Sequence, residues 1–259
     1  MIDITHLLDL AQNAALQAGK AILEIYASGD FGMEMKSDQS PLTLADKAAH
    51  TIIASHLEET GLPILSEEGS SVRYEDRKSW EHFWLIDPLD GTKEFIKRSG
   101  EFTVNIALVH ANIPIAGVIY APYINIMYYG SKETGVYKIE NGKQVQLAFI
   151  PKKRTIKELQ QKEQITVVAS KSHMNEETSA FINQFRNANL SSMGSSLKLM
   201  LLAEGVADIY PRLAPTMEWD TAAGHALLRS LNMGVYQKDF ETELLYNKEE
   251  LLNPSFIAF

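Results

Sequence analysis

The sequence predicts a mixed α+β protein built in layers, and three observations support this. The first part of the chain carries two amphipathic helical patterns, and the middle part carries short apolar runs at close intervals. The last part alternates helical and strand patterns. With 259 residues, 45% of them hydrophobic, the chain can form one large domain or two small ones that share an interface.

We expect two subdomains joined by a polar connector. The N-terminal α+β subdomain covers residues 1–150 and contains most of the candidate metal ligands. The C-terminal α/β subdomain covers residues 165–259. Residues 151–164 form the most polar and most basic stretch of the sequence. They predict a solvated loop or a short surface helix rather than a functional basic patch.

The N-terminal part begins with a predicted helix. Apolar residues recur at helical spacing over residues 1–26. Residues 28–41 predict a turn and a short strand, and residues 42–60 predict a second helix. Gly61 and Pro63 end that helix, because neither residue favours its continuation.

Strand patterns dominate the middle of the chain. Residues 62–71 predict a short strand that runs into an acidic loop, and residues 72–82 predict a polar connector. Residues 83–92 predict a strand followed by a turn. The repeated apolar runs of residues 102–139 predict a meander of largely antiparallel strands.

The C-terminal part alternates the two kinds of element. Its predicted elements are a strand at 165–170, a helix at 175–186, a helix with a serine N-cap at 194–205, a strand and turn at 206–213, and a helix at 219–232.

Composition restricts the function and the setting. The chain has no cysteine, which excludes disulfides, thiolate metal sites and cysteine nucleophiles and suits a reducing cytoplasm. A net charge of −9 argues against general nucleic-acid binding. The N-terminus lacks the features of a signal peptide, and no segment has the roughly 18 apolar residues of a membrane span. We expect a cytoplasmic protein, and the sequence is compatible with peripheral contact at the inner membrane.

The turn "DPLDGT" at residues 87–92 is the strongest candidate site. Pro88 suits the second position of a four-residue turn, which brings the first and fourth Cα atoms within about 7 Å. Asp87 and Asp90 can therefore point into one small volume, with the carbonyl of Leu89 between them. Two carboxylates and a carbonyl are hard oxygen ligands of the kind that Mg²⁺ or Mn²⁺ prefers.

The end of the same turn is suited to a phosphate. Gly91 allows a ligand to approach the backbone closely, and Thr92 offers a hydroxyl and an amide at a predicted helix start. The structural alternative is an ordinary Asp-Pro turn in which one aspartate caps the helix.

Two further acidic sites favour the metal interpretation. In "SEEGSS", Glu67 and Glu68 end the preceding strand, and they lie beside Asp87 if the two strands are neighbours. In "WDTAAG", Asp220 stands at a helix start. Each alone is more often a cap or a solvated acid. Together they would form a carboxylate cage across the cleft between the subdomains.

These motifs resemble a known family. Glu67 and Glu68, "DPLDGT" and "WDTAAGH", in this order, are similar to the signature of the inositol monophosphatase superfamily of metal-dependent, lithium-sensitive phosphatases. The resemblance extends from the N-terminal helix to Phe259. It implies a layered α-β-α-β-α sandwich of the inositol monophosphatase and sugar phosphatase type.

A longer string points to one branch of this superfamily. "WLIDPLDGTKEFIKRSGEFTVNIALV" resembles the bacterial 3'(2'),5'-bisphosphate nucleotidases, as do "GSSLK" and "AEGVADIYPRL". After "DGT", inositol monophosphatases typically carry Thr-Asn-Phe, whereas this chain carries Lys93, Glu94 and Phe95. The connector at residues 151–164 is longer and more basic than this branch leads us to expect.

The resemblance also assigns roles to residues. The implied metal ligands are Glu67, Asp87, the carbonyl of Leu89, Asp90 and Asp220. Thr92 and Asp46, the latter in the family's Thr-x-x-Asp pattern, would orient and deprotonate the attacking water. The implied substrate contacts are Glu67, Leu89, Asp90, Gly91, Thr92, Ser195, Lys198, Arg212 and Asp220, with Ser195, Lys198 and Arg212 holding the nucleotide and its second phosphate.

Four of these residues have structural alternatives. Lys198 is also compatible with a solvated helix face, Arg212 with an ion pair, Ser195 with an N-cap and Asp46 with an ordinary surface aspartate.

The resemblance implies an enzyme that removes the 3'-phosphate of 3'-phosphoadenosine 5'-phosphate in sulfate assimilation. It would use two or three Mg²⁺ ions, with Mn²⁺ as a substitute and Li⁺ and Ca²⁺ as inhibitors. The expected partner is a nucleotide bisphosphate, and the chain would act as a monomer or a homodimer. One rival is an inositol-1-phosphatase or broad sugar phosphatase. A second rival is a non-catalytic, metal-dependent nucleotide-binding protein.

Overall fold

The computed structural model describes residues 2–35, 41–169 and 175–259, and it confirms the five-layered α-β-α-β-α architecture. The helices of the described residues are α1 (Ile4–Ser28), α2 (Leu44–Glu58), α3 (Tyr74–Arg77), α4 (Thr92–Ile96), α5 (Ile156–Gln161), α6 (Glu176–Ile182), α7 (Leu197–Ala203) and α8 (Glu218–Ser230). The strands are β1 (Glu34–Met35), β2 (Pro41–Leu42), β3 (Ile64–Ser66), β4 (His82–Asp90), β5 (Thr103–His110), β6 (Ile113–Ala121), β7 (Ile126–Ser131), β8 (Gly135–Glu140), β9 (Lys143–Gln146), β10 (Ile165–Val168), β11 (Ala188–Ser191), β12 (Tyr210–Arg212), β13 (Val235–Gln237) and β14 (Phe256–Ala258).

The second layer is a seven-stranded sheet in the order β3-β4-β5-β6-β7-β8-β9. β3 and β4 are parallel, and the other neighbouring strands are antiparallel, which confirms the predicted meander. Both faces of this sheet are buried in its central strands, whereas the edge strand β9 is exposed. In β4, Trp84 and Ile86 belong to one hydrophobic core, whereas Phe83 and Leu85 belong to the other. A strand covered on both sides is apolar at nearly every position, as the sequence of β4 is.

Helices α1 and α2 cover one face of the sheet, and α8 covers the other. α8 lies very close to β6 at Gly117, where an added Cβ would come within 2.5 Å of the carbonyl oxygen of Ala223. Because α8 comes from the predicted C-terminal subdomain and packs on the N-terminal sheet, one hydrophobic core spans both parts. The division into residues 1–150 and 165–259 stays a prediction.

The fourth layer consists of short strands. β12, β14 and β13 form an antiparallel sheet, and the parallel pair β10 and β11 joins it through a bridge between Val167 and Ile209. Its outer face packs against α5 and α6 through Leu159 and Phe181. The sequence predicted β10 and β12 of this layer but not β11, β13 or β14.

The connector at residues 151–164 was predicted as a solvated loop or a short surface helix. It contains the short helix α5. The N-cap of α5 is Thr155, which forms a reciprocal capping box with Glu158. The predicted polar connector at residues 72–82 likewise contains a short helix, α3. Within the described ranges, no helix is both long enough and apolar enough to span a bilayer.

Candidate metal and phosphate site

The parallel pairing of β3 and β4 brings the first two acidic motifs together. Ser66, the last residue of β3, lies opposite Ile86 in β4. The backbone N–H of Glu67 then donates a hydrogen bond of 3.2 Å to the carbonyl oxygen of Ile86. Glu67 therefore lies beside Asp87, which confirms that the two strands are neighbours.

The turn after Ile86 interrupts the strand ladder as the sequence predicted. The pairing of β4 with β5 shifts its register between Asp87 and Asp90. The carboxylate of Asp87 accepts a hydrogen bond of 3.0 Å from the backbone N–H of Leu89. The Leu89 carbonyl accepts one of 3.2 Å from the hydroxyl of Thr92, which begins α4. The irregular backbone thus holds two carboxylates and a carbonyl at one end of β4.

Helix α8 supplies the third acidic motif. Asp220 lies in the first turn of α8, and its Oδ2 accepts a hydrogen bond of 2.9 Å from the backbone N–H of Met217. This cap fixes the side chain at the helix start. One carboxylate oxygen from each of Glu67, Asp87 and Asp220 lies within 4.8 Å of the other two. We call this trio the carboxylate cluster.

The electrostatics of the carboxylate cluster fit a cation. Burial raises the pKa of Asp87 well above its ordinary value, and the charges of Glu67, Asp90 and Asp220 raise it further. Burial also raises the pKa of Asp220, and the charge of Asp90 raises it further. The backbone hydrogen bond from Met217 and the charge of Arg212 lower it. Hard oxygen donors that repel one another in a buried place suit a divalent metal ion, which would relieve the repulsion.

Asp46 and Thr92 meet, although they lie on different helices. The hydroxyl of Thr92 donates a hydrogen bond of 3.2 Å to Oδ1 of Asp46. Oδ2 of Asp46 accepts hydrogen bonds from the backbone N–H (2.7 Å) and the hydroxyl (2.5 Å) of Thr43, the N-cap of α2. Asp46 is buried, and burial raises its pKa. The alternative of an ordinary surface aspartate is therefore wrong.

A cavity of about 340 Å³ adjoins the carboxylate cluster at Asp220. Lys198 and Arg212 line it from the C-terminal part of the chain. Lys198 is only 9% exposed, so the alternative of a solvated helix face is wrong. Burial lowers the pKa of Lys198, whereas the charge of Asp90 opposes this change.

Both cations in this cavity retain hydrogen-bonding capacity. The ammonium of Lys198 donates to the carbonyl of Met193 at 3.1 Å, and an ammonium has three N–H groups. The Nη2 of Arg212 donates to the carbonyl of Pro215 at 3.2 Å. Its Nε is buried and has no hydrogen-bond partner among the described residues. The cavity thus presents donors that an anion could use.

Gly91 needs the conformation that only glycine adopts easily. Its φ of +92° lies in the left-handed region, and an added Cβ would lie 3.1 Å from the carbonyl oxygen of Glu101. Because Gly91 adopts this conformation, the turn ends there and α4 begins at the next residue, Thr92. Gly91 therefore packs closely against Glu101, and the close approach of a ligand to its backbone stays a prediction.

Ser195 also reaches this site, but it does not cap a helix. The N-cap position of α7 is Ser196, and its side chain makes no capping hydrogen bond. A serine therefore stands at the predicted N-cap position, but the alternative that Ser195 is the cap is wrong. The hydroxyl of Ser195 instead donates to Oδ2 of Asp90 at 2.6 Å.

Sequence reasoning missed the buried polar residues behind Asp90. Thr103 and Asn105 lie in β5 and are almost fully buried. The amide of Asn105 donates to Asp90 at 3.4 Å. Asn105 interrupts the apolar run "FTVNIALV", and this interruption is the signal that could have identified it.

Comparison with known proteins supports the resemblance. Residues 3–255 match the inositol monophosphatase family. The chain is 43% identical to the 3'(2'),5'-bisphosphate nucleotidase CysQ of Salmonella typhimurium over 246 residues, which cover 93% of this chain and 95% of that protein. It is 42% identical to the Escherichia coli K12 protein of the same name, over 96% of this chain and 98% of the other.

A solved structure agrees with this result. The crystal structure of CysQ from Bacteroides thetaiotaomicron, described as a bacterial member of the inositol monophosphatase family, superposes with a TM-score of 0.84 at 45% sequence identity. The match covers 98% of this chain and 96% of that structure.

Proposed function

The chain belongs to the inositol monophosphatase family, and from this premise we propose a magnesium-dependent 3'(2'),5'-bisphosphate nucleotidase. The enzyme is a phosphoric monoester hydrolase, and its proposed reaction converts 3'-phosphoadenosine 5'-phosphate to AMP and phosphate. One observation carries the proposal. The carboxylate cluster, the buried Lys198 and the half-buried Arg212 adjoin one cavity, with Asp220 common to the cluster and the cavity.

A substrate with two phosphates suits this arrangement better than a substrate with one. Metal ions at the carboxylate cluster would neutralise the phosphate that is cleaved. Lys198 and Arg212 would then remain for a second anionic group, which charge-assisted hydrogen bonds can fix. Met193, Leu199 and Phe256 also line the cavity and offer apolar surface to a base.

The residues that would hold the metal are those that the resemblance implied. They are Glu67, Asp87, the carbonyl of Leu89, Asp90 and Asp220. Bound divalent cations would neutralise phosphate charge, lower the pKa of a water molecule and stabilise the leaving oxygen. We propose Mg²⁺ as the native ion and Mn²⁺ as a substitute, with Li⁺ and Ca²⁺ as inhibitors.

Thr92 and Asp46 would handle the proton of the attacking water. The hydroxyl of Thr92 has one proton, which it can donate to Asp46 or to the carbonyl of Leu89, each 3.2 Å away. When the proton points to Asp46, the Thr92 oxygen can accept a proton from water. A hydroxyl alone is a weak base, so it needs the carboxylate of Asp46 behind it.

A phosphate-release assay tests the function. The purified protein is incubated with Mg²⁺, with and without Li⁺, and with 3'-phosphoadenosine 5'-phosphate, its sulfated form or inositol 1-phosphate. We expect the bisphosphate nucleotide to have the highest kcat/KM, and Li⁺ to inhibit. A preference for inositol 1-phosphate would favour the sugar phosphatase. Mg²⁺-dependent nucleotide binding without phosphate release would favour the binding protein.

Lys198→Ala is expected to weaken binding of the nucleotide selectively. Loss of a hydrogen bond to a charged group costs about 1.5–3 kcal/mol, so KM for the bisphosphate should rise roughly 10- to 100-fold. KM for inositol 1-phosphate should change little, because that substrate lacks the second phosphate. Steady-state kinetics on both substrates measures the difference.

The matched control for this variant is Lys20→Ala, which removes the same side chain from an exposed position on α1. It should leave both KM values unchanged. Equal increases for the two substrates in Lys198→Ala would contradict the assignment of Lys198 to the second phosphate.

We propose that the enzyme acts in the cytoplasm, in sulfate assimilation, as a monomer or a homodimer. The absence of cysteine supports a reducing compartment. A nucleotide with two phosphates is the expected small-molecule partner, and the net charge of −9 does not favour nucleic acid.

A further inference from the structure

Asp90 differs from the other acidic residues of the site because a serine from a distant part of the chain holds it. Asp90 lies outside the carboxylate cluster. The hydroxyl of Ser195, 105 residues further along the chain, donates to its Oδ2 at 2.6 Å. The same hydroxyl lies 2.5 Å from Oγ1 of Thr103.

Counting the protons gives these hydroxyl contacts a direction. An ionised carboxylate only accepts hydrogen bonds, so Ser195 must give its single proton to Asp90. The Ser195 oxygen can then accept the proton of Thr103, which has a second acceptor in Oδ1 of Asn105 at 3.0 Å. Ser196 lies 2.8 Å from Oδ1 of Asn105 and can donate its own proton there. The direction that these contacts fix is that of Ser195, which gives its proton to Asp90.

The surroundings keep this chain of hydroxyls in place. Thr103, Asn105 and Ser196 are buried, so water competes little for their hydrogen bonds. Ser195 has a φ of +54°, a left-handed conformation that a residue with a Cβ rarely adopts. Strained residues of this kind cluster at functional sites, where their surroundings hold them.

We propose that Ser195 is a positioning residue, which orients Asp90 for a second divalent cation apart from the one at the carboxylate cluster. This inference rests on the proposed metal-dependent function. Among described side chains, Ser195 and Asn105 both donate to Oδ2 of Asp90, so Oδ1 is the oxygen left for a cation. Groups that orient a metal ligand affect metal affinity even though they never touch the ion.

The direct test counts manganese ions in the absence of substrate. Metal-free protein is titrated with Mn²⁺, and free Mn²⁺ is followed by electron paramagnetic resonance. The wild type should show two classes of site. Ser195→Ala and Ser195→Gly should leave the first class unchanged and weaken the second about 10- to 100-fold.

The two substitutions separate the hydroxyl from the backbone. Alanine keeps the strained conformation, whereas glycine relieves it, and both remove the hydroxyl. If both variants weaken Mn²⁺ binding at the second class of site equally, the loss of affinity is due to the missing hydroxyl. A normal second class in Ser195→Gly would assign it to the backbone and overturn the proposal.

Thr103→Val removes the hydroxyl that contacts Ser195, and it should weaken the same class of site by a smaller factor. The matched control is Ser230→Ala. Ser230 is also a buried serine, but its hydroxyl donates to the carbonyl of Ala226 within α8 at 2.8 Å. This control should bind Mn²⁺ as the wild type does.

Two further outcomes would overturn the proposal. One is normal Mn²⁺ binding in Ser195→Ala together with a higher KM for the nucleotide, which would make Ser195 a substrate contact only. The other is a single class of site in the wild type. Because the titration involves no turnover, a chain that binds two Mn²⁺ ions but releases no phosphate would refute the proposed function and not the role of Ser195.

Discussion

Asp87→Asn is expected to abolish nearly all metal-dependent phosphatase activity and to stabilise the metal-free protein. Asp87 is 1% exposed and lies among three other acidic residues. The substitution removes a ligand charge, and catalysis by metal ions supplies several kcal/mol of transition-state stabilisation. We therefore expect kcat to fall roughly 10³-fold or more. Asparagine keeps the shape of the side chain but removes the charge that burial and its neighbours disfavour.

The gain in stability should depend on pH, with a sign set by the raised pKa of Asp87. A carboxyl with a higher pKa in the folded state binds a proton more tightly when folded than when unfolded. Its charged form therefore destabilises the metal-free protein above that pKa, and this penalty disappears as the pH falls. Relative to Asp87→Asn, the wild type should gain up to about 1.4 kcal/mol per pH unit on acidification through that range.

Thermal and urea unfolding of the metal-free proteins between pH 5 and pH 8 would measure this difference. The control Asp9→Asn makes the same change at an exposed position of α1. Its activity should equal that of the wild type, and its stability should change with pH as that of the wild type does. Added Mg²⁺ should stabilise the wild type more than Asp87→Asn. If metal-free Asp87→Asn were less stable than the wild type at pH 8, the carboxylate cluster would not be repulsive as described.

The sequence predicted the parts of the site that depend on local geometry. Asp87 and Asp90 share a turn, so their proximity follows from the chain itself. Glu67 required one further condition, the pairing of two neighbouring strands. Asp220 is different, because its helix start was predictable but its position depends on the packing of α8 against the large sheet. The acidic motifs alone offered Asp220 as one wall of a hypothetical carboxylate cage, and the resemblance to a family strengthened its assignment to the turn.

The sequence could not predict how buried polar residues are used. Thr103 and Asn105 lie in a strand that is buried on both faces, so no alternation of polar and apolar residues reveals their direction. Lys198 lies on a seven-residue helix that is almost entirely buried. A lysine on a helix is normally exposed to solvent, but here tertiary packing buries it. Ser195 contacts Asp90 because the fold brings two distant parts of the chain together, and no local sequence pattern predicts such a contact.

Asp46→Asn is expected to lower kcat about 10²- to 10⁴-fold, the range typical of general-base catalysis, with little change in metal affinity. The amide oxygen of asparagine can still accept the N–H of Thr43 and so preserve the cap of α2. Its NH₂ group would then face Thr92 as a donor. Thr92 could no longer pass its proton to this residue, so it could not accept one from water.

Thr92→Val should cause a loss similar to that of Asp46→Asn, because it removes the hydroxyl without changing the shape of the side chain. If Thr92 and Asp46 act as one unit, the double variant should be no slower than either single variant. Thr92→Ser keeps the hydroxyl and should retain most of the activity. Single-turnover rates at saturating Mg²⁺ measure the chemical step directly. Multiplicative losses in the double variant would mean that the two residues contribute independently, and the shared proton path would have to be abandoned.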